Sequence, residues 1–177
     1  MQIAGKFEVV SLREFTKDWT DKFPPNTTDI PFNEILDQIQ DIYDNIKLPK
    51  RATKGSAAYD LYAPIDMTLE PGGEIFFPTG IRCEMEPGWA LMMLPRSGQG
   101  VKYKLRFANT VPLIDSDYYG SSNEGHIMVK LCNEGDKTLD IAAGQACAQM
   151  IFLPYGVTED DDVVEERNGG FGSTDGK

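Results

Sequence analysis

The sequence predicts a mainly β domain, a sandwich or barrel, with a helical segment near its N-terminus and a polar, Gly-rich tail. Three observations carry that prediction. From about residue 50 onward, short apolar runs are separated by Pro- and Gly-containing turns: EPGGE, PTG, EPGW, NEGDK and AAG. Short strands with such punctuation belong to all-β architectures. Residues 11–46 instead repeat their apolar positions at helical spacing. From Glu159 the chain turns acidic and ends in RNGGFGSTDGK, a composition unable to build a core. The length, 177 residues, fits one domain with its own core. The organisation predicted is therefore a single domain, 1–177, with a helical insertion at about 11–46 and a flexible arm at 159–177.

Each element has its own signal. Ser11 is a candidate N-cap, and Phe15, Trp19 and Phe23 recur every fourth residue after it, which predicts a helix over 11–23. PPNTTD reads as a turn. Pro31 then suits a first helical position. Phe32, Ile35, Leu36, Ile39, Ile42, Tyr43 and Ile46 form an i, i+3, i+4, i+7 stripe up to residue 46. Such a stripe needs a partner, either the core of the same chain or a neighbouring subunit.

Composition narrows the function classes. Hydrophobic residues make up 41% and charged residues 25%, an ordinary globular balance. No apolar run approaches the roughly 20 residues that span a bilayer, so no membrane partner is expected. MQIAGKFEVV lacks the basic-then-apolar plan of a secretory signal, and a cytoplasmic location is the expectation. A net charge of −11 disfavours long nucleic acid as a partner. A small phosphorylated ligand remains compatible if a metal ion and local cations neutralise it. Cys83, Cys132 and Cys147 are widely spaced and odd in number, the pattern of free thiols. His126 is the one histidine, and nothing beside it in sequence supports a Ser-His-Asp or Cys-His site. It reads as a surface or strand histidine.

VPLIDSDYYG, residues 111–120, carries the chemistry. Leu113, Asp115 and Asp117 alternate with Ile114, Ser116 and Tyr118, the period of a strand or hairpin arm. Acids beside a turn glycine are ordinarily solvated turn residues. Four further segments change their weight: AAYDLYA (57–63), PRSG (95–98), GQACAQMIF (144–152) and RNGGFGST (167–174). Singly each is weak. In this order, together with ANTVPLIDSDYYG (108–120), they resemble the five motifs of the trimeric dUTP pyrophosphatases, the dUTPases. The intervening LEPGGEIFFPTGIRCEMEPGWALMMLPRSG follows the same family pattern. The resemblance runs from about residue 47 to the end and includes the first strand.

The resemblance implies a dUTPase-like jelly-roll or β-barrel, a homotrimer with shared active sites, and dUTP as substrate. It implies hydrolysis to dUMP and pyrophosphate, which keeps uracil out of DNA and supplies dUMP for thymidylate synthesis. Asp115 is then the base that orients the water attacking the α-phosphorus, and a carboxylate, ionised at neutral pH, suits that task. Asp117 does not map to the base and reads as structural. Tyr118 matches the tyrosine packed on the deoxyribose, where an aromatic wall leaves no room for a 2′-hydroxyl. Asn109 matches the position that hydrogen-bonds uracil, and cytosine would leave buried groups there unpaired. Arg96, Ser97 and Gly98 match the phosphate-binding segment, and Gln149 a phosphate-contacting amide. Asp60 matches an acid near metal-bound waters. The cofactor implied is Mg²⁺, which keeps several waters and takes phosphate oxygens, so no tight carboxylate cluster is required. In the tail, Arg167, Gly172, Ser173 and Thr174 suit the terminal phosphate and Phe171 the base, with glycines letting the backbone wrap an anion.

Several positions depart from the family pattern. Ala146 stands where an arginine is usual, Ala58 and Pro112 where glycines are, and Gln99 and Gly100 follow PRSG in place of a Leu-Ala pair. Arg167 lies one residue closer to GGFG than is usual. SSNEG (121–125) is an insertion beside the base, and 11–46 is a second one. Two other readings stay open: a nucleotide-switched regulatory module of the same family, with a phage gene as one source, and a related dCTP deaminase.

Overall fold

The computed structural model describes residues 2–25, 30–165 and 167. In chain order these form β1 (Gly5–Val9), α1 (Leu12–Lys22), α2 (Phe32–Asp44), β2 (Tyr59–Tyr62), β3 (Met67–Leu69), β4 (Glu74–Pro78), β5 (Ile81–Met85) and β6 (Trp89–Leu94). There follow α3 (Ser97–Tyr103), β7 (Leu105–Phe107), β8 (Leu113–Ile114), a 3-10 turn (Asp117–Gly120), β9 (Met128–Asn133), β10 (Leu139–Ile141) and β11 (Ala146–Pro154). The strands pair antiparallel in four small sheets, ordered β2-β11-β6-β8, β4-β9-β7, β1-β5 and β10-β3. Strands distant in sequence thus lie side by side, in a jelly-roll-like arrangement that matches the mainly β expectation.

Alternation along the strands builds the core. Leu61, Leu91, Met93, Ala148 and Met150 point inward from one sheet, and Phe77, Leu105, Phe107, Val129 and Leu131 from another. Each large aliphatic or aromatic side chain so buried contributes about 1.5–3 kcal/mol. Cys83 and Cys147 are buried in the same core, and burial pushes both thiols up to about 12.

The helical segment forms as its periodicity predicts, and it packs on this chain. Ser11 caps α1, its hydroxyl accepting from the Glu14 amide at 3.2 Å. Phe15 and Trp19 of α1 join Ile35 and Ile39 of α2 and Val10 in a second buried cluster. Phe32 and Leu36 of the predicted stripe remain exposed. Pro31 is the residue before α2 rather than its first helical position: its ψ of 140° is extended, and the helix opens at Phe32. Past α2, Ile46 packs over Gly80, whose φ of +75° favours glycine; a Cβ there would come within 2.2 Å of the Ile46 side-chain tip and displace it.

Candidate functional site

Three groups of sequence-predicted residues can be placed. The first lies where β2, β11 and β6 meet. Asp60 of β2 is paired across the ladder with Gln149 of β11, which in turn lies opposite Leu94 at the end of β6. Arg96, two residues beyond Leu94, brings its Nε within 3.0 Å of an Asp60 carboxylate oxygen. The Gln149 side-chain amide donates to the Pro95 carbonyl at 2.9 Å. Ser97 and Gly98 are exposed at the start of α3. Three of the five motifs therefore converge on one partly open polar cluster with a cation at its centre.

Two departures from the family pattern meet beside it. The buried Gln99 amide donates to the Ala146 carbonyl at 3.1 Å. Ala146 sits next to a register irregularity between β11 and β2. Its small side chain is buried there.

The second group follows β8. The period-two pattern over 113–118 predicted a strand or hairpin arm. The observed strand is only Leu113–Ile114, and the chain then winds into the 3-10 turn beginning at Asp117. Pro112 contributes to the short pairing, since it has no N–H and offers only its carbonyl, to Met93 N at 2.9 Å. The alternation of faces nevertheless persists: Leu113, Asp115 and Asp117 are exposed while Tyr118 is buried. Asp115 is held at the junction of strand and turn. Arg167 reaches it from the arm, with Nη2 3.1 Å from Asp115 Oδ2, Nε 3.8 Å from Asp117 Oδ1, and the guanidinium carbon 5.4 Å from the Tyr118 ring centroid. The Tyr118 hydroxyl donates to the His126 carbonyl at 2.8 Å, and burial raises its pKa above the usual phenol value.

The third group is Asn109, exposed on a tight reversal between β7 and β8. Thr110 there has a φ of +67° and its amide donates to the Phe107 carbonyl at 2.9 Å. Asn109 borders a cavity of about 260 Å³ together with Phe76, Ala108, Met128 and Lys130. The last two lie at the start of β9, and the strand period puts both on one face; the sequence reading did not select them. Phe171, Gly172, Ser173 and Thr174 lie outside the described residues.

His126 is not at the surface. It is fully buried, accepting from the Gly80 amide at Nε2 (2.8 Å) and facing Asp18 Oδ2 through Nδ1 (2.7 Å). Since Nε2 accepts, the proton sits on Nδ1. A buried imidazole is tolerated because both nitrogens are satisfied. Among the described residues no group of three or more His, Cys, Asp or Glu side chains is arranged to hold a metal ion, and no helix is long and apolar enough to cross a membrane.

Comparison with known proteins identifies the family. The family model described as dUTPase matches residues 44–175. The deoxyuridine 5'-triphosphate nucleotidohydrolase of Paraburkholderia phymatum is 39% identical over 136 residues, covering 72% of this chain and 88% of the relative. The crystal structure of dUTPase from Streptococcus mutans superposes with a TM-score of 0.57 at 35% identity, over 66% of this chain and 91% of that one. The fold is shared also with the dUTPase of phage phi11 of S. aureus, solved with a structural Mg(II) ion (TM-score 0.56, 20% identity, 69% and 92% covered).

Proposed function

The chain belongs to the dUTPase family, and on that premise we propose that it hydrolyses dUTP to dUMP and pyrophosphate, keeping uracil from DNA and providing dUMP. The observation that carries the mechanism is Asp115, an exposed carboxylate fixed between β8 and the 3-10 turn, one turn from Tyr118. Asp115 takes the proton of the water that attacks the α-phosphorus. Tyr118 forms the wall against the sugar. Asn109 reads the uracil edge from the mouth of the adjoining cavity. Arg96 and Gln149 bind the phosphates, with Ser97 and Gly98 exposed beside them.

Asp115 and Arg96 are set apart along β6. Ile114 lies opposite Leu91 near the start of β6, while Arg96 lies past its far end. At about 3.3 Å per residue, Leu91 to Arg96 spans roughly 16 Å. This separation supports a site assembled between copies, with the base from one chain and the phosphate cluster from another, in a homotrimer. The arm then contributes Arg167 and the segment through Thr174 over the bound nucleotide.

Mg²⁺ fits the donor set at the phosphate cluster. Asp60 is a single, partly buried carboxylate with Arg96 on one oxygen, suited to a metal-bound water rather than to direct chelation. The ion supplies charge neutralisation of the triphosphate. Asp60 and Arg96 hold one another and so orient both toward the phosphates. A cytoplasmic location follows the same reading.

The deciding experiment is pyrophosphate release from dUTP, dCTP, dTTP and UTP side by side, with and without Mg²⁺. The expected result is release from dUTP alone, dependent on Mg²⁺. Ammonia release from dCTP would indicate a deaminase, and binding of dUTP without turnover a switch module.

A further inference from the structure

The insertion SSNEG, residues 121–125, is tied to Tyr118 and to the other insertion at once. The Asn123 side-chain nitrogen donates to the Tyr118 hydroxyl at 2.8 Å. The amide is oriented from its other end, where the Ser121 hydroxyl donates to Asn123 Oδ1 at 2.7 Å. Ser121 Oγ in turn accepts from the Gly125 amide at 3.2 Å. The Tyr118 hydroxyl in turn donates to the His126 carbonyl. The Asn123 nitrogen also donates to the His126 carbonyl at 3.3 Å, so Asn123 and Tyr118 share that acceptor. The bonds from Gly125 through Ser121 and Asn123 to Tyr118 and His126 fix both the amide orientation and the phenol rotor.

The loop is anchored on the first helix. Glu124 accepts from the Ser11 amide at 2.8 Å and the Ser11 hydroxyl at 2.6 Å, and Asp18 of α1 faces the His126 ring. The fold around Gly125 leaves no slack, since a Cβ there would come within 2.7 Å of the Tyr119 backbone at a φ of +70°. An asparagine at 123 is suited to the task because its amide accepts on one side and donates on the other. An aspartate of the same shape offers only acceptors.

We propose that Asn123 is a positioning residue for sugar discrimination: by holding the Tyr118 hydroxyl it fixes the aromatic wall that excludes a 2′-hydroxyl. This rests on Tyr118 forming that wall, as set out above. Asn123 acts through the tyrosine hydroxyl. Its effect is therefore on the preference for deoxyribose over ribose and on substrate affinity, with the chemical step at Asp115 spared.

The test compares wild type, Asn123→Ala, Asn123→Asp and Tyr118→Phe. Affinities are measured for non-hydrolysable analogues of dUTP and UTP, with kcat and KM for dUTP and thermal stability alongside. The expected result is that both Asn123 variants lose about tenfold in deoxy-over-ribo preference, the scale of one hydrogen bond. KM for dUTP rises while kcat stays within a few-fold. Tyr118→Phe produces the same loss, and adding Asn123→Ala to it produces no more, because the partner is already gone. A wild-type preference that survives in both Asn123 variants overturns the role of Asn123 while leaving the dUTPase reading intact. Equal losses for both analogues reduce Asn123 to a structural loop residue and also overturn it. A wild type with no preference for the deoxy analogue overturns the reading of Tyr118 itself, and the proposal with it.

Discussion

Arg167 and Asp115 form an ion pair at 3.1 Å, and the same guanidinium lies over the face of Tyr118. The last described residue of the arm thus reaches the carboxylate proposed as the base, although the two are 52 positions apart in sequence. Truncating the chain before Arg167 should leave a folded protein with unchanged oligomeric mass and at least a tenfold loss of dUTP turnover. Light scattering and a pyrophosphate assay on one preparation measure both. Unchanged turnover would mean that the arm has no part in the reaction.

Asp115→Asn keeps the shape of the side chain and removes the proton acceptor. Turnover should fall by roughly 10²–10⁴, the range for loss of a general base. Affinity for a non-hydrolysable dUTP analogue should change little. Asp117→Asn, which alters an exposed residue opening the 3-10 turn, should keep turnover within a few-fold of wild type. Equal small losses in the two variants would remove Asp115 from the mechanism.

Asp18→Ala should destabilise the protein by about 1–3 kcal/mol, because it leaves the Nδ1 proton of a fully buried His126 without its acceptor. Asp18→Asn should cost less, since the amide oxygen still accepts. Urea unfolding of the three proteins gives the numbers. A cost for Asp18→Ala indistinguishable from zero would mean that water replaces the carboxylate.

Glu8 is held well below the usual carboxylate range, at about 2, first by its hydrogen bond from Lys6 and then by one from the Tyr119 hydroxyl. A depressed folded value means that the ionised form stabilises the fold. That contribution is fully present above the ordinary value of 4.5 and is lost as pH falls toward 2. The stability difference between wild type and Glu8→Gln should therefore be constant above about pH 5 and shrink below it. Thermal unfolding across that range checks the sign; a difference that grew on acidification would contradict the assignment.

The helices could be read from the sequence because their signals are local: Ser11 as a cap and Phe15, Trp19, Ile35 and Ile39 at helical spacing all act within a few residues. The five chemical segments were likewise readable, since each is a contiguous string, and their order carried the rest. What escaped was tertiary pairing. Ser11 and Glu124 are 113 positions apart, and Asp18 and His126 are 108 apart. No periodicity connects such residues. His126 therefore read as a strand or surface histidine, and the inserted loop as a mere departure, when together they back the tyrosine beside the base. The strand or hairpin arm expected over 113–118 is short for a local reason: alternation reports which face a residue occupies, and a 3-10 turn after Ser116 preserves the faces without the ladder.

The placement of Asp115 and Arg96 at opposite ends of β6 has a genetic consequence. If each reaction centre draws its base and its phosphate cluster from different chains, two individually dead proteins can repair one another. Co-expressed Asp115→Asn and Arg96→Ala chains would form mixed assemblies. In some of them one centre receives an intact aspartate from the second variant and an intact arginine from the first. Activity would return in that mixture, and neither allele would behave as a simple null in the presence of the other.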